Sequence, residues 1–264
     1  MGLTAVQFFS RNPRGWKGRT VSQEEIDQFR RLSASSDIIT TVIHTNYLIN
    51  IASPDKEIWR KSYQVLIEEL AVAERLGVDY VVTHLGSHKG RGRELGLSNV
   101  VKAVKRALGE VEPTGGGKPV LLMENSAGAG NLVGNRFGEL AEIMDEVAKG
   151  GCLQECLGIC IDSAHAFAEG YDVRNAEGRK EIFDQLGEYA DRILLIHLND
   201  SKTDLASHHD RHQHLGKGLI GEEGLSSFLH DGNLSTQPVI METPIDEGDG
   251  DEDNLEVFLR LEKG

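Results

Sequence analysis

A chain of 264 residues has the length of one α/β barrel, and 39% apolar with only 6% aromatic content implies an aliphatic core. No apolar run reaches the roughly 18 residues of a membrane span, and the opening "MGLTAVQFFSRNPRGWKGR" lacks a basic head, long apolar stretch and cleavage site, so neither membrane anchor nor signal peptide is read. A net charge of −14 argues on its face against nucleic acid, but seven acids fall in "IDEGDGDEDNLE" (245–256), binding is local, and bound cations would offset carboxylates at a site.

In chain order the first apolar run is "AVQFFS" (5–10), followed by the helical pattern "EEIDQFRRLSA". "IITTVIH" (38–44) precedes "EIWRKSYQVLIEELAVAERLG", and "YVVTHLG" (80–86) precedes "VVKAVKRALGEV". The short flexible "EPTGGGKP" (112–119) leads into "PVLLMEN" (119–125), with "FGELAEIMDEVAKG" next. "LGICID" (157–162) precedes "GRKEIFDQLGEYADR", "ILLIHLN" (193–199) precedes "EEGLSSFLH", and "PVIMET" (238–243) closes the series. The apolar runs suit strands buried on both faces, and the segments between them carry apolar residues at spacings of three and four. Gly77 and Gly150 stand as helix stops. Alternation of this kind implies parallel strands with right-handed crossovers. No linker splits the chain, so residues 1–264 read as a single domain.

The predicted fold class is α/β, a TIM-type (β/α) barrel. Such a barrel closes with eight strands. Seven are counted, with no helix before the first, so the first β-α unit at the N-terminus is read as lacking. The three cysteines, Cys152, Cys156 and Cys160, are too few and odd in number for a disulfide framework. They indicate a reducing, cytoplasmic compartment. Cys160 lies inside "LGICID" and reads as a buried small hydrophobe.

The second strand ends in His44, the third runs into His84, and the fourth ends in Glu124. The fifth ends in Asp162, the sixth carries His197, and the seventh carries Glu242. Their spacings of 40, 40, 38, 35 and 45 residues are one strand-helix unit each. In a parallel barrel all strand C-termini open onto one face, so these side chains should converge there. His165 follows Asp162 by three residues and can share the first turn after the strand. In "HHDRHQHLGKGLIG" (208–221), Asp210 and His212 alternate around Arg211 and can point the same way. Nine imidazoles and carboxylates without thiolate suit two or three catalytic zinc or manganese ions. Clusters of that kind serve phosphoester hydrolysis. His88, His208, His209, His214 and His230 read as loop, supporting or surface residues. "GKGLIG" reads as a tight turn rather than a phosphate cradle.

The segments "HTNYLIN", "THLGSH", "MENSAGAG", "CIDSAHAFAEGYD", "HLNDSK", "DRHQHLGKGLIG" and "METP", with the flank "FFSRNPRGW", resemble the endonuclease IV family of apurinic/apyrimidinic-site DNA repair enzymes. The resemblance implies a (β/α)₈ barrel with three zinc ions, manganese being possible at one site. His44, His84 and Glu124 would hold the first. Glu124 as a bridge, with Asp162, His197 and Glu242, would hold the second, and His165, Asp210 and His212 the third. Glu124 is the catalytic candidate. Water activated between the first two ions would attack the phosphorus 5′ to an abasic site in double-stranded DNA. The products would be a 3′-hydroxyl and a 5′-deoxyribose phosphate, and blocked 3′ ends would be trimmed. Arg14, Tyr47 and Leu48 match residues that wedge into the kinked duplex. A monomer is expected.

The sequence departs from the family pattern in opening after the usual "GAH"-like strand and its helix. Leu85 stands where proline is usual, Ala129 for glutamine, and Ser163-Ala164 for Thr-Cys. These neighbours should tune the site rather than abolish it. Two other readings stay open. One is a sugar isomerase or epimerase of the same barrel type, with one or two divalent metals. The other is a catalytically impaired remnant that binds damaged DNA without turnover.

Overall fold

The computed structural model describes residues 2–111, 118–149, 151, 155–245 and 250–263. Gly150, Cys152, most of the 112–119 loop, and Asp246, Glu247 and Asp249 of the acidic segment lie outside these residues. The chain divides into two compact units, Met1–Glu124 with Glu142–Gly158, and Asn125–Ala141 with Ile159–Gly264.

The first unit alternates β1 (Ala5–Phe8), α1 (Gln23–Ala34), β2 (Thr40–His44), α2 (Lys56–Leu76), β3 (Tyr80–Thr83), α3 (Arg93–Glu110) and β4 (Val120–Glu124). The four strands pair in sequence order and all in parallel. Val42, Ile43, Val81, Val82, Leu121, Leu122 and Met123 are consecutive within their strands and fully buried, as parallel strands covered on both faces require. Local signals set the helix limits. Ser22 and Glu25 form a reciprocal capping box at α1, and Asp55 caps α2. Gly77 ends α2 with φ of 77°, a left-handed conformation that favours glycine.

The elements after β4 are α4 (Phe137–Ala148), β5 (Leu157–Asp162), α5 (Ser163–Glu169), α6 (Ala176–Leu186), a 3₁₀ turn (Gly187–Arg192), β6 (Ile193–His197), β7 (Asp200–Ser201), β8 (His212–Gln213), α7 (Gly221–Leu229), β9 (Val239–Ile240) and α8 (Asp251–Leu261). In the second unit β5 pairs with β6 and β6 with β9, all parallel, while β7 and β8 form a small antiparallel hairpin.

Each of the seven apolar runs contains a parallel strand. Among the described residues there are seven such strands, four from β1 to β4 and three in β5, β6 and β9. The structure differs from the sequence reading in four places. The "GRKEIFDQLGEYADR" helix breaks after Leu186 into the 3₁₀ turn, and the helix before "PVLLMEN" begins earlier, at Arg93. The β7/β8 hairpin was not expected. Part of the acidic segment is helical, with Asp251, Glu252 and Asp253 in the first turn of α8, where the helix dipole favours negative charge. Among the described residues, no helix is long and apolar enough to cross a membrane.

Candidate metal centre

Strand register brings the candidate ligands together. In the first unit His44 stands beside Val82 of β3, and Thr83 beside Met123 of β4. His84 thus follows β3 at the level where His44 and Glu124 end their own strands. The carboxylate of Glu124 is buried, 3.1 Å from His44 Nε2 and 3.5 Å from His84 Nε2. In the second unit Asp162 and His197 are direct cross-strand partners, and His197 pairs with Ile240, two residues before Glu242. His197 Nδ1 lies 3.3 Å from Glu242 Oε2. One ligand atom from each of Asp162, His197 and Glu242 falls within 4.8 Å of the others.

A further group collects at the start of α5. Asp162 caps this helix, its Oδ1 accepting the His165 N–H at 2.7 Å. That contact fixes the turn carrying the His165 imidazole. The β7/β8 hairpin supplies Asp210 and His212. Asp210 Oδ2 is 3.3 Å from His165 Nε2, and Asp210 Oδ1 is 3.4 Å from His212 Nε2. Asp162 Oδ2 is also 3.7 Å from His212 Nε2, so Asp162 touches this group as well.

The protonation pattern of the rings tests whether these groups fit cations. His44 Nδ1 donates to the Thr45 carbonyl at 2.8 Å, His165 Nδ1 to the Asn125 carbonyl at 3.0 Å, and His212 Nδ1 to the Glu242 carbonyl at 3.0 Å. A carbonyl only accepts, so each Nδ1 carries hydrogen and, in the neutral ring, each Nε2 presents a lone pair. Each Nε2 faces a carboxylate, which also only accepts. His212 Nε2 is buried with no hydrogen-bond partner among the described residues. Lone pairs aimed at carboxylates across 3.1–3.7 Å are what a divalent cation resolves. The residues present fit two or more such ions.

Two asparagines, missed by the sequence reading, hold Asp162. Asn125 Oδ1 accepts its N–H at 2.7 Å, and Asn199 Nδ2 donates to its Oδ2 at 2.6 Å. Asn199 Oδ1 also accepts the Glu242 N–H at 2.8 Å, and Ser163 Oγ bonds both backbone groups of Asn199. The one sequence signal for Asn125 and Asn199 is their place just beyond strand ends.

Arg14, Tyr47 and Leu48 lie in two neighbouring loops of the first unit. Tyr47 N–H donates to Pro13 O at 2.9 Å, and Asn46 Nδ2 donates to Gly15 O at 2.7 Å. Arg14 and Tyr47 are exposed and Leu48 half-buried. Phe9 packs edge-on against both Tyr47 and His44, at centroid distances of 5.6 and 5.7 Å. Beneath this surface Arg11 is ion-paired to the fully buried Glu69 and donates to Trp16 O at 3.1 Å, bracing the loop that carries Arg14. The remaining histidines take other roles. His214 bonds Asn254, His230 bonds backbone carbonyls, His88 accepts from Gly92 N–H, His208 meets Glu169, and His209 is exposed. Cys160 is buried and Cys156 half-buried.

A family model described as "Xylose isomerase-like TIM barrel" matches residues 1–261. "Probable endonuclease 4" of Halothermothrix orenii is 40% identical over 246 residues, covering 92% of this chain and 86% of that relative. "Probable endonuclease 4" of Methanoculleus marisnigri is 43% identical over 256 residues, covering 96% and 88%. The crystal structure of endonuclease IV from Thermus thermophilus superposes with a TM-score of 0.80 at 38% identity, covering 99% of this chain and 88% of that one. A D-tagatose 3-epimerase-like protein shares the fold alone, with a TM-score of 0.70 at 18% identity. These matches establish the TIM-barrel fold class anticipated from strand-helix alternation.

Proposed function

The chain belongs to the endonuclease IV family, and we propose that it is a metal-dependent phosphodiester hydrolase that cuts DNA 5′ to abasic sites in base excision repair and trims blocked 3′ ends. The observation that carries this reading is the set of imidazole lone pairs held against carboxylates at His44, His165 and His212. Zinc suits this mixture of nitrogen and oxygen donors.

On this reading His44, His84 and Glu124 would hold one ion, Asp162, His197 and Glu242 a second, and His165, Asp210 and His212 a third. Bound there, divalent ions supply a nucleophile from water at neutral pH and neutralise charge on phosphoryl oxygens. The protein's own part is orientation. Backbone carbonyls fix the tautomers of His44, His165 and His212, and Asn125 and Asn199 fix Asp162. Arg14, Tyr47 and Leu48 enter the duplex at the lesion, Tyr47 replacing stacking that an abasic nucleotide has lost. Such a nucleotide leaves the helix at low cost because it has no base to unstack. Residues 1–264 act as a single barrel domain and a monomer, and the low cysteine content suits the cytoplasm.

A duplex carrying one tetrahydrofuran abasic analogue tests the reading. The expected product is a single nick with a 3′-hydroxyl that a polymerase extends. Tight binding of that duplex by metal-loaded protein without a nick would instead indicate a binding remnant. Neither binding nor nicking, with one metal per chain, would return the sugar isomerase or epimerase reading.

A further inference from the structure

The glycine-rich segment "GKGLIG" (216–221) has the look of an anion-binding loop, and its backbone N–H groups do converge on an anion. The anion is the chain's own Asp200. This carboxylate is fully buried and accepts from Gly218 N–H at 2.9 Å, Ile220 N–H at 3.0 Å, Gly221 N–H at 3.3 Å and Ser201 N–H at 2.8 Å. The approach is close enough to demand glycine, since a Cβ on Gly218 would fall 2.4 Å from Asp200 Oδ1. Leu219 N–H adds a bond to Ser201 O at 2.8 Å.

The other side of the same two residues carries the metal candidates. Asp200 pairs with Gln213 and Ser201 with His212, and Lys202 N–H bonds Arg211 O at 2.9 Å. The hairpin is only two residues long on each strand, too short to hold its register unaided. Its neighbour Asn199 faces Asp162 and Glu242. Adjacent residues therefore tie together two ligand groups and a loop.

We propose that Asp200 is a positioning residue for Asp210 and His212: by filling the amide nest of residues 218–221 it locks the β7/β8 hairpin and sets the third metal position. The inference rests on the three-ion reading above. The glycine-rich segment 216–221 is not a phosphate subsite, because its converging amides are taken.

Asp200→Asn tests this. The amide keeps the shape but turns a donor toward backbone N–H groups and removes the charge. The measurement is metal release to a chelator, followed per chain. In the unaltered protein three ions are expected. In the variant one of the three should bind about 10–100-fold more weakly, the usual effect of losing a ligand's supporting contact, while the other two leave at unchanged rates. Equal weakening of all three, or no change, would overturn the proposal. An unaltered protein that binds no metal would instead refute the reading it rests on. If Asp200→Asn does not fold, amide exchange in the unaltered protein decides. Gly218 and Ile220 N–H should exchange slowly with and without metal. Exchange as fast as at exposed loop amides would overturn the proposal.

Discussion

His212 Nε2 stands 3.4 Å from Asp210 Oδ1, while its Nδ1 is held by the Glu242 carbonyl at 3.0 Å. With Nδ1 so held, the neutral ring turns an Nε2 lone pair toward the carboxylate, a contact that a shared cation satisfies. Removing metal leaves acceptors facing acceptors there, at His165 and at His44. Chelation should therefore lower stability as well as activity. A ligand present at one hundred times its Kd contributes about 2.7 kcal/mol, and at this chain length each kcal/mol moves Tm by about 2–4 °C. Calorimetry should show a fall of about 5–10 °C on chelation, reversed by adding the divalent ion back.

Glu124 sits buried between His44 and His84 with both ring nitrogens against one oxygen. Glu124→Gln keeps the shape and removes the charge. Nicking should fall by about 10²–10³-fold or more, the scale of losing a principal electrostatic group at a reacting centre. Circular dichroism should be unchanged.

Tyr47 is an exposed aromatic that packs on Phe9, and Phe9 packs on His44. Stacking on a base is worth about 1–3 kcal/mol. Tyr47→Ala should raise the Kd for abasic duplex by about 5–150-fold, with metal content and affinity for intact duplex unchanged. Equal loss on both duplexes would assign Tyr47 to general packing.

Asn199 is fully buried and satisfies Asp162 Oδ2 and the Glu242 N–H at once. Asn199→Ala should cost about 1–3 kcal/mol for the groups left unsatisfied. It should also weaken metal binding about 10–100-fold. Urea unfolding with metal titration measures both.

Glu69→Ala takes from the buried Arg11 its fully buried partner and leaves it the half-exposed Glu68 at 3.1 Å. The expected cost is below the roughly 3–5 kcal/mol of a fully unpaired buried charge, read as a lower urea midpoint.

The seven parallel strands were legible because runs such as Leu121–Met123 and Leu195–Ile196 are apolar without alternation, the pattern of strands buried on both faces. Legible too were the residues at strand ends, because one strand-helix unit separates each from the next. The β7/β8 hairpin was not, since two residues per strand leave no periodicity to detect. Asp251, Glu252 and Asp253 hid α8 by resembling a solvated tail, although acids in a first turn suit a helix N-terminus. The work of Asn125, Asn199 and Asp200 depends on which strands are neighbours and in what register. Polar residues just past a strand are common, and no local spacing marks those that hold a ligand.

The decisive measurement is nicking of the tetrahydrofuran duplex, followed while metal-free protein is titrated with zinc. Metal-free protein should not nick it, and activity should reach its maximum only as bound metal approaches three per chain. Full nicking after complete metal removal, or a maximum reached at one ion per chain, would contradict the three-ion reading.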